Sequence, residues 1–192
     1  MTKLLNKLYS LIKASRFPPG ALLMSKHHLP IALLLLMMLG LTAFIIWPQE
    51  RLKISFQDQT CYLNESEFSL RWRHSVELQD WQEHYYLSSG QLLLDASYLQ
   101  TFGAGTPSDG ETIVAPEGFV GLRSQVILPA LHWIVSAYMQ GRIISPQGSW
   151  EIYRLVPDYT EITIEPKKTF RPFFWLGKNC YDYGYFSDDY RE

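Results

Sequence analysis

The chain has 192 residues, of which 47% are hydrophobic and 15% aromatic; this is enough for a packed core and excludes a largely disordered protein. The formal charge of −2 is unevenly distributed along the chain. The first 49 residues carry five basic side chains and no acidic one, whereas the rest carries 12 basic and 19 acidic residues, a net charge of −7. Because an acidic domain repels a phosphate backbone, nucleic acid is not expected among the partners.

Residues 1–28 form a basic segment that we expect on the cytoplasmic side of a membrane. Leu4, Leu8, Leu11 and Ile12 recur at helical spacing, while Lys3, Lys7 and Lys13 can reach anionic headgroups. This pattern fits a short amphipathic helix on the inner leaflet. A frayed basic tail that serves only as a topology signal fits equally well, and both alternatives stay open.

Residues 29–47 form an uninterrupted apolar run without a charged side chain, from Leu29 to Trp47. As a helix these residues would extend about 28 Å, close to the roughly 30 Å hydrocarbon core of a bilayer. The sequence therefore predicts one transmembrane helix. Basic residues before it predict a cytoplasmic N-terminus, which places the main domain on the periplasmic side of the inner membrane. A cleaved signal peptide is the competing interpretation, but Phe44–Trp47 offers no small-x-small cleavage site.

Residues 51–176 alternate between apolar and polar side chains, as strands with one buried face do. Leu52, Ile54 and Phe56 alternate in this way, and several further short runs lie between Gly, Pro, Asn, Asp or Ser residues. These runs are Phe68–Trp72, Gly90–Leu94, Trp133–Ala137, Trp150–Val156 and Thr160–Ile164. Leu131–Met139 is ambiguous, because its spacing also permits a helical turn. The predicted fold is all-β, an antiparallel sandwich or barrel-like exported domain.

Both cysteines, Cys61 and Cys180, fall in the exported part of the chain. In an oxidising compartment they can form a disulfide; the alternative is two separate buried thiols, because sequence does not show whether their Cα atoms lie within bonding reach. Cys180 lies within residues 177–192, an aromatic C-terminal tail. For the aromatic stretch Phe170–Tyr190, contact with a partner or the membrane interface is one interpretation, and a last strand at Phe173–Trp175 that completes the core is the other. No CxxC or clustered Cys/His spacing predicts a metal site.

One polar cluster interrupts the strand pattern, at Arg73–Glu77 (RHSVE), and Glu83 follows shortly after it. In the parity of Phe68–Trp72, His74 should point towards the core, where Glu77 or Glu83 could pair with its imidazole. A catalytic interpretation would make His74 a base for Ser75. Adjacent strand residues point to opposite faces, so a polar or ligand-orienting network is the favoured interpretation.

A second cluster is the glycine-containing segment Phe102–Pro107 (FGAGTP). Gly103 and Gly105 allow positive φ angles and a close backbone approach, and successive N–H groups in such a loop can bind an anion. A tight turn between strands would have the same composition. The segment lacks the GxGxxG and Lys-Ser/Thr context of nucleotide-binding loops, so no cofactor is predicted.

The RHSVE segment, the Glu83-containing strand and the FGAGTP loop together resemble the domain of unknown function 1850 family. In that family an HSVE-like motif precedes a Glu-bearing strand and an FGAGLP-like loop. The resemblance implies a small exported β protein, of the kind often encoded beside TRAP-type transporters of the TAXI class. Thr106 departs from the pattern, since leucine is common at that place.

The leading functional hypothesis is therefore a non-enzymatic, membrane-anchored accessory protein that contacts the membrane subunits or the solute-binding protein of a TRAP-type transporter. A small-ligand-binding β module is the alternative, and a hydrolase is the third. The expected polar or ligand site comprises His74, Ser75, Glu77, Glu83, Phe102, Gly103, Gly105 and Pro107.

Overall fold

The computed structural model describes residues 28–106, 110–174, 176–184 and 186–187. The chain divides into two compact units, with the boundary at Ile45/Ile46. Helix α1 spans His28–Ile46 and ends at the boundary of the first unit. Within Leu29–Ile46, no residue is buried and none is charged. Its length and composition suffice to cross a membrane, a test that a signal sequence near an N-terminus also passes.

The second unit consists of twelve strands in two antiparallel sheets, as far as the chain is described. The strands are β1 (Pro48–Phe56), β2 (Gln59–Leu63), β3 (Glu67–Arg73), β4 (Asp80–Ser88), β5 (Gln91–Leu99), β6 (Thr112–Ile113), β7 (Val120–Leu128), β8 (Leu131–Val135), β9 (Arg142–Ser145), β10 (Gly148–Trp150), β11 (Thr160–Phe170) and β12 (Phe186–Ser187). The smaller sheet has the order β2-β1-β11-β8, and the larger has the order β12-β10-β9-β3-β4-β5-β7-β6.

The two sheets share one core, so the predicted all-β fold is confirmed in its sandwich form. Leu52 and Ile54 of β1 alternate inwards from the smaller sheet, while Phe68 and Leu70 of β3 do so from the larger one. Each of these four side chains is almost completely excluded from solvent. Neither sheet closes into a barrel, because each has two different edge strands among the described residues.

The strand predicted at Trp150–Val156 is wrong in most of its length. Trp150 ends β10, and Ile152–Arg154 form a 3₁₀ turn in which the Leu155 N–H donates to the Ile152 carbonyl. The turn still buries Ile152 and Val156, so an apolar spacing of two and four residues resembled strand alternation. The ambiguous segment Leu131–Met139 begins as β8 and leaves the sheet after Val135.

The C-terminal region is joined to the smaller sheet. Cys180 forms a disulfide with Cys61 of β2, so of the two alternatives for the cysteines the structure has the covalent one. The buried Arg51 places its guanidinium 3.6 Å from the Tyr62 ring centroid and donates hydrogen bonds to the carbonyls of Phe174 and, at 2.9 Å, Leu176. Within residues 177–192, positions 177–184 and 186–187 are described, and they contribute to the second unit. The core strand expected just before them is wrong in its described part, because Arg171–Phe173 form a 3₁₀ turn in which Phe173 is 54% exposed.

Candidate functional site

Both sequence motifs lie at one end of the larger sheet because of its antiparallel order. β3 ends where β4 begins, since Arg73 pairs with Asp80, and β5 ends beside the same position, since Trp81 pairs with Leu99. The segment joining β3 to β4 carries His74–Glu77, and the segment after β5 carries the glycine loop. Neighbouring antiparallel strands thus bring two motifs that are some 25 residues apart to the same end of the sheet, which we call the motif edge.

The first motif forms a turn rather than the continuation of a strand. The His74 N–H donates to the Gln79 carbonyl at 2.8 Å, and the Leu78 N–H donates to the His74 carbonyl at 3.0 Å. The imidazole stacks on the Trp81 ring at a centroid distance of 4.5 Å. Leu78 has φ of 56°, an unfavourable conformation for a branched residue, and the turn therefore holds some strain.

Glu77 is the partner that the sequence expected for His74, but it lies within the same turn. Its Oε2 contacts Nδ1 of the imidazole, and both side chains are less than one-fifth exposed. We assign the ring hydrogen to Nδ1, because the Glu77 carboxylate is far closer to this nitrogen than is the Val76 N–H, which lies 3.4 Å away. The imidazole is thus fixed from the side by a carboxylate and from below by an indole.

The same carboxylate connects the turn to the glycine loop. Glu77 Oε1 accepts a hydrogen bond from the Ala104 N–H at 2.9 Å, across 27 positions of sequence. The loop is closed on itself as well: the Gly103 N–H donates to Thr106 Oγ1 at 2.8 Å, and the Thr106 N–H donates to the Gly103 carbonyl at 3.1 Å. The predicted anion-binding loop therefore has an anion from its own chain, the Glu77 side chain.

Gly103 is required by this close approach. A Cβ at that position would lie 2.0 Å from Glu77 Oε1, well inside van der Waals contact. Gly105 has φ of 85°, which favours glycine, and its Cβ position is 4.0 Å from the Trp81 ring. Both glycines of the motif are therefore explained, one by space and one by backbone conformation.

The contacts of Glu77 stabilise its ionised form. The Ala104 N–H, and to a lesser degree His74, hold the pKa of Glu77 below that of an ordinary glutamate, while partial burial acts in the opposite direction. A charged acceptor strengthens the hydrogen bond from the loop. The connection between turn and loop is thus strongest when Glu77 is ionised.

Glu83 has a different environment from the rest of the predicted site. It lies on β4 two residues beyond Trp81 and accepts a hydrogen bond from the Tyr85 hydroxyl at 2.6 Å. Burial raises the pKa of Glu83, although the hydrogen bond from Tyr85 works against the shift. Burial and the nearby Glu83 also raise the pKa of Tyr85. No described contact joins Glu83 to His74, so the structure does not assemble a His74–Glu83 pair.

The other predicted residues lie around this centre in different ways. Ser75 is exposed, and no hydrogen bond from His74 to its hydroxyl occurs in the described part of the chain. Phe102 is 63% exposed beside the loop. Pro107 lies outside the described residues. Among those that are described, no group of three or more His, Cys, Asp and Glu side chains could hold a metal ion.

A cavity of about 440 Å³ opens beside His74, and the sequence did not predict it. It lies between the end of β3, the segment after β8 and the residue before β11. Its walls are Trp72, Arg73, His74, Ser75, Ile134, Ser136, Tyr138, Met139 and Tyr159. Arg73, His74 and Ser75 belong to the RHSVE motif, but the lining residues together are scattered over nearly 90 positions, so no local pattern in the sequence indicates the cavity.

Comparison with known proteins agrees with the motifs. The family model for a domain of unknown function, DUF1850, matches residues 68–152. The predicted resemblance is confirmed over that range. It runs from β3 to the 3₁₀ turn after β10 and includes both motifs and most of the cavity, though not Tyr159. No curated protein and no solved structure matches the chain significantly.

Proposed function

We propose that this protein is a membrane-anchored accessory protein that binds a component of a TRAP-type transporter through the edge formed by its two motifs. In this proposal α1 holds the acidic β domain at the periplasmic face of the inner membrane. The anchor raises the effective concentration of membrane partners without any additional contact. The transporter is the partner implied by the DUF1850 resemblance.

The observation that carries the proposal is that the polar residues of the two motifs bind to one another. Glu77 is occupied with His74 and with the Ala104 N–H, so the polar groups hold two connecting segments in place. Three large apolar side chains of these segments are exposed: Val76 is 68% exposed, Phe102 63% and Leu78 46%. Apolar side chains on a rigid polar frame are typical of a protein-binding surface.

The connection between turn and loop also favours binding over catalysis. A base for Ser75 would need its hydroxyl within hydrogen-bond reach, whereas the described contacts of the His74 ring are made with Glu77 and Trp81. A docking surface needs no such group. It needs pre-ordered side chains, because ordering them on binding would cost affinity.

Copurification tests this proposal directly. The full chain, tagged and extracted from its native membranes in mild detergent, should recover the TRAP permease subunits or the solute-binding protein, identified by mass spectrometry. Phe102→Asp should reduce the recovery at least tenfold, because it places a charge at the centre of an apolar contact. Recovery of neither component by the wild-type chain, together with unchanged solute uptake after deletion of the gene, would refute the proposal.

A matched control is available on the same sheet. Ile127 of β7 is 60% exposed, close to the value for Phe102, but it pairs with Leu93 towards the opposite end of the sheet. Ile127→Asp should leave the recovery of transporter components unchanged. An equal loss with both variants would assign the effect to general solubility and count against a surface at the motif edge.

A further inference from the structure

The cavity beside His74 differs in chemistry from the apolar edge proposed for docking. Its volume of about 440 Å³ is within the range of sites that hold small organic molecules. Both sheets contribute to it, since Trp72 comes from β3 and Ile134 from β8. Trp133, next to Ile134, contacts Trp72 with a distance of 6.3 Å between the ring centroids. The cavity is therefore part of the rigid sandwich rather than of a loop alone.

Aromatic and aliphatic side chains form most of its wall. Tyr138 and Ile134 are more than half exposed, and Tyr159 is 81% exposed. Tyr159 has φ of 65°, in the left-handed region that a tyrosine rarely adopts. Its N–H donates to the Val135 carbonyl at 2.8 Å, which anchors the turn and maintains this conformation. Strained backbone maintained by its surroundings is typical of binding sites.

Arg73 contributes a positive charge to the wall of the cavity. No carboxylate lies within ion-pair distance of Arg73 in the described part of the chain. Asp80, its cross-strand neighbour, is paired with Arg71 at 2.6 Å. The Arg73 Nε–H makes one long hydrogen bond, 3.4 Å, to the Leu78 carbonyl, and the guanidinium lies 5.6 Å from the Tyr138 ring centroid.

The charges of the lining residues favour an anionic ligand. No aspartate or glutamate is among the lining residues. A guanidinium has five N–H donors, and no hydrogen bond from the terminal nitrogens of Arg73 occurs among the described residues, so these donors can meet a planar, two-oxygen acceptor. One cation with no carboxylate partner among the described residues matches a singly charged carboxylate better than a doubly charged phosphate. The apolar walls require the rest of such a ligand to be apolar.

We propose that this cavity binds a carboxylate carried on an aromatic or branched apolar body. The carboxylate pairs with the guanidinium of Arg73, and the apolar body lies between Trp72, Tyr138 and Tyr159. A free small organic acid and the C-terminus of a polypeptide ending in an apolar residue share this chemistry. The site is separate from the docking surface, because Val76 and Phe102 do not line the cavity.

Calorimetry on the purified full chain in detergent micelles tests the assignment without any transporter component. The probes are 3-phenylpropionate, its neutral amide, and the peptide Ala-Ala-Phe with a free or an amidated C-terminus. We expect at least one free carboxylate to bind and its neutral partner to bind at least tenfold more weakly. Binding of the small acid identifies a metabolite-type ligand, and binding of the free peptide alone identifies a polypeptide terminus.

Two substitutions show whether the binding takes place in this cavity. Arg73→Gln should weaken binding at least tenfold, and Arg73→Lys, which keeps the charge but loses the planar fork, should fall between. Arg123→Gln is the control, because Arg123 lies on β7 and does not line the cavity. The proposal is overturned by absence of binding of every carboxylate probe, by equal binding of acid and amide, or by wild-type affinity of a folded Arg73→Gln variant.

Discussion

Replacing Gly103 by alanine tests whether Glu77 really holds the two motifs together. The added Cβ would lie 2.0 Å from Oε1, 2.2 Å from Cδ and 2.6 Å from Cγ of Glu77, so the glutamate must move away. Movement breaks the 2.9 Å hydrogen bond from the Ala104 N–H and the contact with His74. Gly103 itself has no positive φ angle, so backbone strain does not contribute to the cost.

The expected cost is that of an overpacked site. Overpacking a well-packed core typically destabilises by about 1–3 kcal/mol, and we expect the same order here because the displaced carboxylate also loses its hydrogen bond from the Ala104 N–H. For a domain of this size, that corresponds to a fall of roughly 3–10 °C in Tm. Thermal unfolding of the full chain, followed by near-ultraviolet circular dichroism, measures it. The stacked His74–Trp81 pair lies next to the substitution, so the tryptophan signal should also change before unfolding begins.

A double-mutant cycle separates this mechanism from a general effect on the loop. In a Glu77→Ala background the obstructing side chain is gone, and Gly103→Ala should cost close to nothing. Gly118→Ala is the control: its Cβ would meet nothing within 4 Å, but its φ of 81° makes alanine unfavourable. Its cost should therefore be the same in both backgrounds. The same penalty for Gly103→Ala with and without the Glu77 side chain would refute the reasoning.

Two further predictions concern single bonds. The disulfide closes a segment of 119 residues, so replacing Cys61 and Cys180 together by alanine should lower the free energy of unfolding by about 4–5 kcal/mol, as measured by urea unfolding with the disulfide-intact chain as reference; a loss below about 1 kcal/mol would contradict this. Thr106→Val removes the acceptor of the Gly103 N–H and should cost about 1 kcal/mol, whereas Thr106→Ser should cost less; equal Tm values for the two variants would contradict the role of the hydroxyl.

The strands that the sequence predicts best are those with one fully buried face. Leu52, Ile54 and Phe56 alternate without exception, and all three are buried in β1. Alternation failed at Trp150–Val156, because a 3₁₀ turn can bury Ile152 and Val156 just as a strand would. An apolar pattern predicts which side chains are buried. It predicts a strand only where the alternation continues over enough residues to show a period of two.

The candidate site could be predicted from the sequence only in its local part. The two motifs identify His74, Glu77 and Gly103, and the structure joins them through one carboxylate. Trp81, on which the imidazole stacks, was not among the predicted site residues. The cavity could not be predicted, since Tyr138 and Tyr159 reach it through the pairing of β8 with β11, which no spacing in the sequence encodes.

Two glutamates that the sequence placed in one site should give the folded chain opposite responses to pH. The pKa of Glu77 is lowered in the folded state, so its contribution to stability is complete above the unfolded value of about 4.5 and is lost as the pH falls through the folded value. The pKa of Glu83 is raised, so the folded state holds its proton longer, and stability is lost as the pH rises from about 4.5 to the folded value. Considered by themselves, these two groups favour the folded state most around the ordinary pKa of a glutamate, about 4.5.

Each limb of that profile can be removed by a substitution that preserves shape. Glu83→Gln removes the buried charge, can still accept the hydrogen bond of Tyr85, and should raise Tm at neutral pH while flattening the limb above pH 4.5. Glu77→Gln can still accept the Ala104 N–H but cannot ionise, so it should flatten the limb below pH 4.5 and lower Tm at neutral pH. Tm profiles between pH 3 and 8 measure both effects. A lower Tm of Glu83→Gln at neutral pH would contradict this reasoning. Glu83 would then be an ionised member of a polar network, as the sequence first indicated, even though no described contact joins it to the His74–Glu77 pair.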